Sequence, residues 1–507
     1  MLAYPADPDL FRDISQASAV RRGAFFADAQ YGGEIAWYNP LLSWLVASLS
    51  WASQMSVSEF TVRAGPILNL VSPIGFVILV RSFFGKRAAG FALVAYLFVI
   101  CANYPSWAVA TYSPWLFTAN FAQGLFFFAL VQLRCVLSEP SAQRSLVFGA
   151  MTGCVFLAHT APAIILTFVA ITAVVLRARR TTTAERSGLV RACAVMSSTA
   201  AVVSAPFLLP IALAYQFRIR NSTPSSWTWD AITPERLGHF AIEFVGRWPF
   251  LVIFAGGFIC LRHGVLSRQS TERTILVAWT VASLTLFSLG TASSSSLPLL
   301  PLLPSVVPTS HFLLYLSAAL CIWFGVGGAA FLDEVERRSG RRSLPVFAPV
   351  LVAILMVLVS LPVWRDRSEV RDEPAIAQAK AVRFEDYSMS ALIADVSGPN
   401  EIILYDGDDN YGMQLAGLAG RNMVVTTELF SNPYLDWAER RKDAEAMLAA
   451  LAECDLEGFT AISRPYGIVS LLLVPTPEGV GVSPPGCTGA IDRTAVSQEM
   501  SLYRIRP

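Results

Sequence analysis

ADPDLFRDISQASAVRRGAFFADAQYGGEIAWYNPLLSWL, residues 6–45, is the stretch on which the reading of this chain turns. It gathers carboxylates, arginines and aromatics in one polar loop, and a nearly unbroken series of apolar runs follows it to about Trp364. Lipid-buried spans tolerate few charges, so the polar loops beside them are where a membrane protein's chemistry concentrates.

Composition agrees with a membrane protein: 54% of the 507 residues are hydrophobic and only 15% are charged. A net charge of +1 leaves no basic stripe to neutralise a phosphate backbone, which excludes nucleic acid as a partner. The eight cysteines are scattered without a CxxC pair or metal-ligand spacing. Six lie in or beside apolar runs; only Cys454 and Cys487 fall in the polar tail, where an oxidising compartment would allow a disulfide. Residues 1–40 hold no apolar core of the length a secretory signal requires.

Apolar runs of membrane-spanning length predict helices near 63–81, 88–105, 115–134, 145–159, 162–177, 190–214, 249–262, 274–290, 311–332 and 344–363. The two segments flanking His159 read as a tight helical hairpin. One set of connections carries seventeen Lys or Arg, among them Lys86, Arg87, Arg177, Arg180, Arg273 and Arg337; the alternate set carries four, Arg218, Arg220, Arg236 and Arg247. The positive-inside rule puts the first set in the cytoplasm, and residues 1–62 and the tail after Trp364 outside. That parity leads us to expect a further transmembrane helix upstream of Met1; an N-out chain is the other arrangement.

The domains expected are an extracytoplasmic first loop (1–62), a transmembrane helical domain (63–364) and a C-terminal extracytoplasmic α/β domain (365–507). In the last, EIILYD (401–406), NMVVTTE (422–428), GIVSLLLVP (467–475) and MSLYRI (500–505) read as strands. SALIADV (390–396), YGMQLAGLAG (411–420) and YLDWAERRKDAEAMLAALAE (434–453) read as helices, which implies three-layer packing.

Candidate chemistry begins at Asp7-Pro8-Asp9, followed by Arg12 and Asp13. Paired carboxylates can divide proton acceptance and divalent-metal binding. An Asp-x-Asp in a polar loop is otherwise a turn or helix cap, and Arg12 with Asp13 is otherwise a salt-bridged helix face. Asp28, Tyr31 and Tyr38 share the loop; Glu34, after two glycines, reads more simply as part of a turn. The rare outer cations Arg218 and Arg220, with His159 and His311 at the outer ends of spans, are candidates for binding an anion. Their bland readings are snorkelling interfacial cations and hydrogen-bonded packing histidines. Trp227 and Trp229 suit sugar stacking or a membrane interface. Asp406-Gly407-Asp408-Asp409-Asn410 lacks the downstream glutamate of a calcium loop and reads as a strand-to-helix connection.

The order Asp9…Arg12, a helix ending at Gly23, Trp37-Tyr38-Asn39-Pro40-Leu41-Leu42-Ser43-Trp44-Leu45, then Ser58-Glu59-Phe60-Thr61-Val62-Arg63 resembles the first outer loop of the GT-C membrane glycosyltransferases. These use polyprenyl-phosphate-linked sugars, as the protein mannosyltransferases, aminoarabinose transferases and arabinofuranosyltransferases do. The likeness covers residues 7–90 in phrase order and the remainder in topology. It departs from the family in lacking the first helix and in carrying Asp9-Leu10 where many members have Asp-Glu.

The resemblance implies a polytopic α-helical membrane fold of about ten spans in this chain. It also implies transfer of a sugar from a polyprenyl-phosphate donor to a cell-envelope acceptor at the outer face of the cytoplasmic membrane. Asp9 or Asp7 would then be the catalytic base, the two together a site for Mg or Mn, and Arg12, Asp28, Tyr31, Tyr38, His159, Arg218, Arg220 and His311 the substrate-binding groups. A lipid-linked glycan ligase or polymerase would carry its main loop later in the membrane domain. A transporter would show internal repeats and charges within spans, which are absent from the sequence.

Overall fold

In the computed structural model of this chain, eight apolar helical stretches account for most of the described residues between 41 and 339. The structure describes residues 8–100, 116–221, 270–294, 309–339, 388–407, 409–475, 491–496 and 500–506, with isolated positions at 307, 350, 351, 354 and 358. Contacts divide the chain into two compact units: Met1–Ala64 with Phe207–Pro224 and Asp372–Pro507, and Gly65–Pro206 with Ser225–Arg371.

The second unit contains most of the apolar helices. Helices α1 (Pro8–Arg21), α2 (Leu41–Ser53) and most of α3 (Val57–Leu68) belong to the first unit; α4 (Val71–Val94) opens the second, followed by a π turn at Ala95–Ile100. Then come α5 (Thr118–Ser138), α6 (Ala142–Ala158), α7 (Thr160–Ala178), α8 (Thr183–Tyr215), α9 (Thr271–Ser294) and α10 (Thr309–Ser339). Among the described residues six helical stretches are long and apolar enough to cross a membrane, and α2 and α6 are shorter apolar helices. Spans expected near 249–262 and 344–363 fall outside the described residues, save isolated positions in the second.

The spans expected at 63–81 and 88–105 meet at Gly85, where φ of 87° and ψ of 177° break α4 into two arms. That backbone region is open to glycine and strained for other residues. The hairpin expected around His159 turns on that residue alone, extended at φ −162° between α6 and α7. Pro162 sits in the first turn of α7, where an amide N–H has no helical partner to lose.

Aromatic rings fill the unit's interior: Phe126 meets Trp279 and Tyr315 edge-on at 5.1 and 5.0 Å, and Phe76 stacks on Tyr96 at 4.1 Å. Polar groups among them bond to one another, as burial away from water demands. Ser72 and Tyr96 share a hydrogen bond of 2.8 Å, and the Tyr96 hydroxyl donates to Gln123 Oε1 at 2.7 Å. Ion pairs join helix ends, Arg87 to Asp333 and Arg134 to Glu272, each at 2.6 Å.

The first unit is built on a five-stranded sheet. Strands β1 (Glu401–Tyr405), β2 (Asn422–Met423), β3 (Ile468–Pro475), β4 (Ile491–Val496) and β5 (Met500–Ile505) lie in the order β2-β1-β3-β5-β4. The first three pair in parallel, and β5 runs antiparallel to β3 and β4. Period-two alternation sends Ile402 and Leu404 to one face, with Met447, Leu451 and Phe459. Ile403 and Tyr405 go to the other, with Ile393, Met413 and Leu415. Both faces are therefore covered, as three-layer packing requires.

Helix α11 (Asp409–Ala419) and the helix over 388–396 cover the second of these faces. Helices α12 (Trp437–Glu453) and α13 (Leu456–Ser463) cover the first. Asp436 and Asp455 cap their N-termini, accepting from Glu439 N–H at 3.0 Å and Gly458 N–H at 2.8 Å. The sequence reading missed α13 and β4 and made β2 too long. Of the stretch read as a strand over 422–428, only two residues join the ladder, before the turn Glu428–Phe430.

The first loop belongs to this same unit. Helix α1 lies against α11 at Gly417, where an added Cβ would stand 3.2 Å from the Phe11 carbonyl oxygen. Tyr31 forms a parallel bridge to Met423, extending the sheet beyond β2, and Met423 N–H donates to the Gln30 carbonyl at 2.7 Å. A two-residue edge strand is thus covered by a segment nearly 400 positions upstream.

Candidate functional site

The first turn of α1 places Asp9, Arg12 and Asp13 on one side of the helix, as spacings of three and four dictate. Arg12 Nη1 donates to Asp9 at 2.9 Å, and its Nη2 and Nε donate to Asp13 at 2.9 and 3.0 Å. The guanidinium lies 3.6 Å from the centroid of the Tyr38 ring and 5.3 Å from that of Phe430. Arg12 is 9% exposed. Burial works against its charge, but Asp13, Tyr38 and Asp9 overcome this and hold the proton more tightly than usual. Burial also raises the Tyr38 phenol, with Arg12 opposing. Arg12 therefore organises the acids; of the two carboxylates it holds, Asp9 is the more exposed, at 27% of its side chain against 9% for Asp13.

Asp28, 5% exposed, is bound from three sides. Gln30 and Tyr31 N–H groups donate to Oδ1 at 2.9 and 3.3 Å, and Asn432 Nδ2 donates to Oδ2 at 3.0 Å. Burial nonetheless pushes its carboxyl up to about 6. A carboxyl raised on folding stabilises the fold only below its unfolded value near 3.9, and that contribution disappears as pH rises through the folded one. The difference in melting temperature between wild type and Asp28→Asn should therefore shrink as pH rises from about 4 to about 6 and stay flat above. A constant difference across that range would refute this account of Asp28.

Tyr31 is fully buried, its hydroxyl sharing hydrogen bonds of 3.0 Å with both Thr426 and Ser431. Glu34 pairs with Arg440, and the Tyr215 hydroxyl donates to its Oε2 at 2.8 Å. Ile35 N–H donates back to that hydroxyl at 2.9 Å, and the Tyr215 ring stacks on Tyr434 at 5.1 Å. Two consecutive non-glycine residues in left-handed conformation follow, Gln216 at φ 52° and Phe217 at φ 56°, a costly arrangement that tertiary contacts must hold. Beyond them Arg218 and Arg220 are exposed, and the amides of Arg220 and Asn221 donate to the Pro433 carbonyl at 2.9 and 3.1 Å.

In the helical unit, His159 and His311 come together with ring centroids 4.7 Å apart. Ala161 N–H donates to His159 Nδ1 at 3.2 Å, which assigns the proton of the neutral ring to Nε2. Asp7, Trp227, Trp229, Asp408 and Cys487 lie outside the described residues. Cys454 is disulfide-bonded. Among the described residues no group of three His, Cys, Asp or Glu is arranged to hold a metal, and Asp9 faces a guanidinium.

Sequence reasoning named Asp9, Arg12, Asp28, Tyr31 and Tyr38, and the structure gathers all five in the loop-bearing unit. It did not name Asn432, Arg440 or Phe430, which contact Asp28, Tyr31 and Arg12, or Tyr215, which bonds Glu34 in the same loop. Those partners stand about 180 to 420 positions away, and no local pattern in a single sequence marks a pairing at that distance.

No family model and no curated protein matches the sequence. Solved structures do. ArnT from Cupriavidus metallidurans, bound to undecaprenyl phosphate, superposes with a TM-score of 0.55 at 14% identity, covering 99% of this chain and 94% of its own. The Archaeoglobus fulgidus oligosaccharyltransferase in complex with Zn and sulfate gives 0.54 at 13% identity over 93% of this chain, which spans 64% of that protein's length. The AglB oligosaccharyltransferase of the same organism, with an inhibitory peptide and a dolichol-phosphate, gives 0.51 at 13% identity, covering 93% and 66%. Over nearly the whole chain the fold is thus the one shared by ArnT and the archaeal oligosaccharyltransferase.

Proposed function

We propose that the protein transfers a sugar from a polyprenyl-phosphate-linked donor to a cell-envelope acceptor at the outer face of the cytoplasmic membrane. The observation that carries this reading is the near-complete coverage of both chains in the match to ArnT, a structure holding undecaprenyl phosphate. The disulfide at Cys454 supports an oxidising compartment for the tail, in keeping with the distribution of basic residues.

In the reaction, Asp9 accepts the proton of the acceptor hydroxyl while that oxygen forms its bond to the anomeric carbon. The bond from that carbon to the lipid phosphate breaks, and the phosphate leaves with its electron pair. Arg12 takes Asp9 Oδ1 and so sets the direction of the base. Asp7 is the second acid of this stretch. Arg218 and Arg220, exposed in the same unit as Asp9, are the groups assigned to phosphate.

The test is transfer by the purified full chain, in lipid, from a panel of polyprenyl-monophosphate sugars to cell-envelope extracts. Label moving from at least one donor into glycan, lipid or protein is the expected result. Failure with every donor by a folded protein would remove this reading.

A further inference from the structure

We infer that a groove between α7 and α9 holds an anionic glycerophospholipid in the leaflet facing the arginine-rich connections. The groove has a volume of about 510 Å³ and lies wholly within the helical unit. Its long wall is one face of α9, which supplies Val277, Val281 and Leu289, opposite Phe168 and Leu176 of α7. Several of these side chains face outward: Phe168 is 51% and Val281 55% exposed.

One end has a different chemistry. Arg180 and Arg273 line it with Ser270 and Thr274, and a smaller adjoining cavity of about 100 Å³ adds Arg177. The N-terminus of the long helix α9 opens there, with Ser270 Oγ accepting the Arg273 N–H at 3.3 Å. The one acid of that first turn, Glu272, is occupied by Arg134 at 2.6 Å. Three guanidinium groups and a helix N-terminus thus mark one end of an otherwise apolar trough, matching a phosphate headgroup above an acyl chain.

Length selects the lipid class. From Thr274 to Leu289 the wall rises about 22 Å at 1.5 Å per residue. That exceeds the half-thickness, about 15 Å, of a hydrocarbon core roughly 30 Å thick, so the trough is long enough for the acyl chain of one leaflet. A polyprenyl chain is longer than a leaflet and would leave the groove, whereas a phospholipid acyl chain ends within it. The site is independent of the sugar-transfer reading, and its test does not depend on activity.

The full chain, purified from phosphatidylcholine vesicles doped with phosphatidylglycerol, is delipidated stepwise and weighed by native mass spectrometry. Phosphatidylglycerol should remain bound after phosphatidylcholine is gone. Arg180→Gln with Arg273→Gln should weaken retention by roughly 30-fold, at about fivefold per cation, and Arg180→Lys with Arg273→Lys should restore most of it. Arg186→Gln with Arg191→Gln, the same charge change outside the groove lining, should leave retention as in wild type. Equal loss in both Gln pairs, undiminished retention in the groove pair, or displacement of the lipid by polyprenyl monophosphate alone would each overturn the assignment.

Discussion

Asp9→Asn is expected to lower sugar transfer by roughly 10²- to 10⁴-fold, the range for removing a positioned general base. The amide oxygen can still accept from Arg12 Nη1, so the first turn of α1 keeps its arrangement. What disappears is the capacity to take a proton. The loss should therefore fall on kcat, with KM for the lipid donor little changed. A variant with normal melting behaviour and undiminished transfer would move the base to Asp7. Loss confined to KM would instead make Asp9 a binding group.

The largest stability effect is expected at Tyr31. It is a fully buried aromatic that the loop inserts against the tail domain, with Arg440 4.8 Å from its ring centroid. Tyr31→Ala removes that volume and both hydroxyl contacts, a loss of about 3–5 kcal/mol by comparison with other buried aromatics. Tyr31→Phe keeps the ring and should cost about 1–2 kcal/mol, through Thr426 and Ser431 hydroxyls deprived of a partner. Thermal melting of the detergent-solubilised chain, with limited proteolysis of residues 22–36, measures both. Equal, small effects from the two variants would mean that the loop does not depend on this anchor.

The helical part of the fold was legible because its signal is local. Runs of apolar residues as long as a bilayer leave few alternatives, and the tight turn at His159 followed from one polar residue between two such runs. In the tail, β1 and β3 were legible as apolar runs buried on both faces. Strand β4, IDRTAV, was not: it forms an edge of the sheet and carries charge, so it has no apolar period to read. Of the candidate site, α1's acids and Arg12 were visible as a cluster. That Arg12 binds both acids, and that Glu34, leaving the turn its two glycines make, is also tied by Arg440 and Tyr215, depends on tertiary contacts alone.

The bridge from Tyr31 to Met423 also sets an order of events during synthesis. The loop that carries Asp9 leaves the ribosome before the tail, yet the groups that bond Tyr31 lie about 395 positions later. At roughly 5–20 residues per second, the loop waits on the order of 20–80 s for the segment that completes it. Over that interval its aromatic residues and its buried-to-be carboxylate, Asp28, have no lasting partners from the tail. A chain interrupted anywhere before Asn432 therefore inserts its spans with an unfinished first loop, so that a part made well before the tail matures only with it.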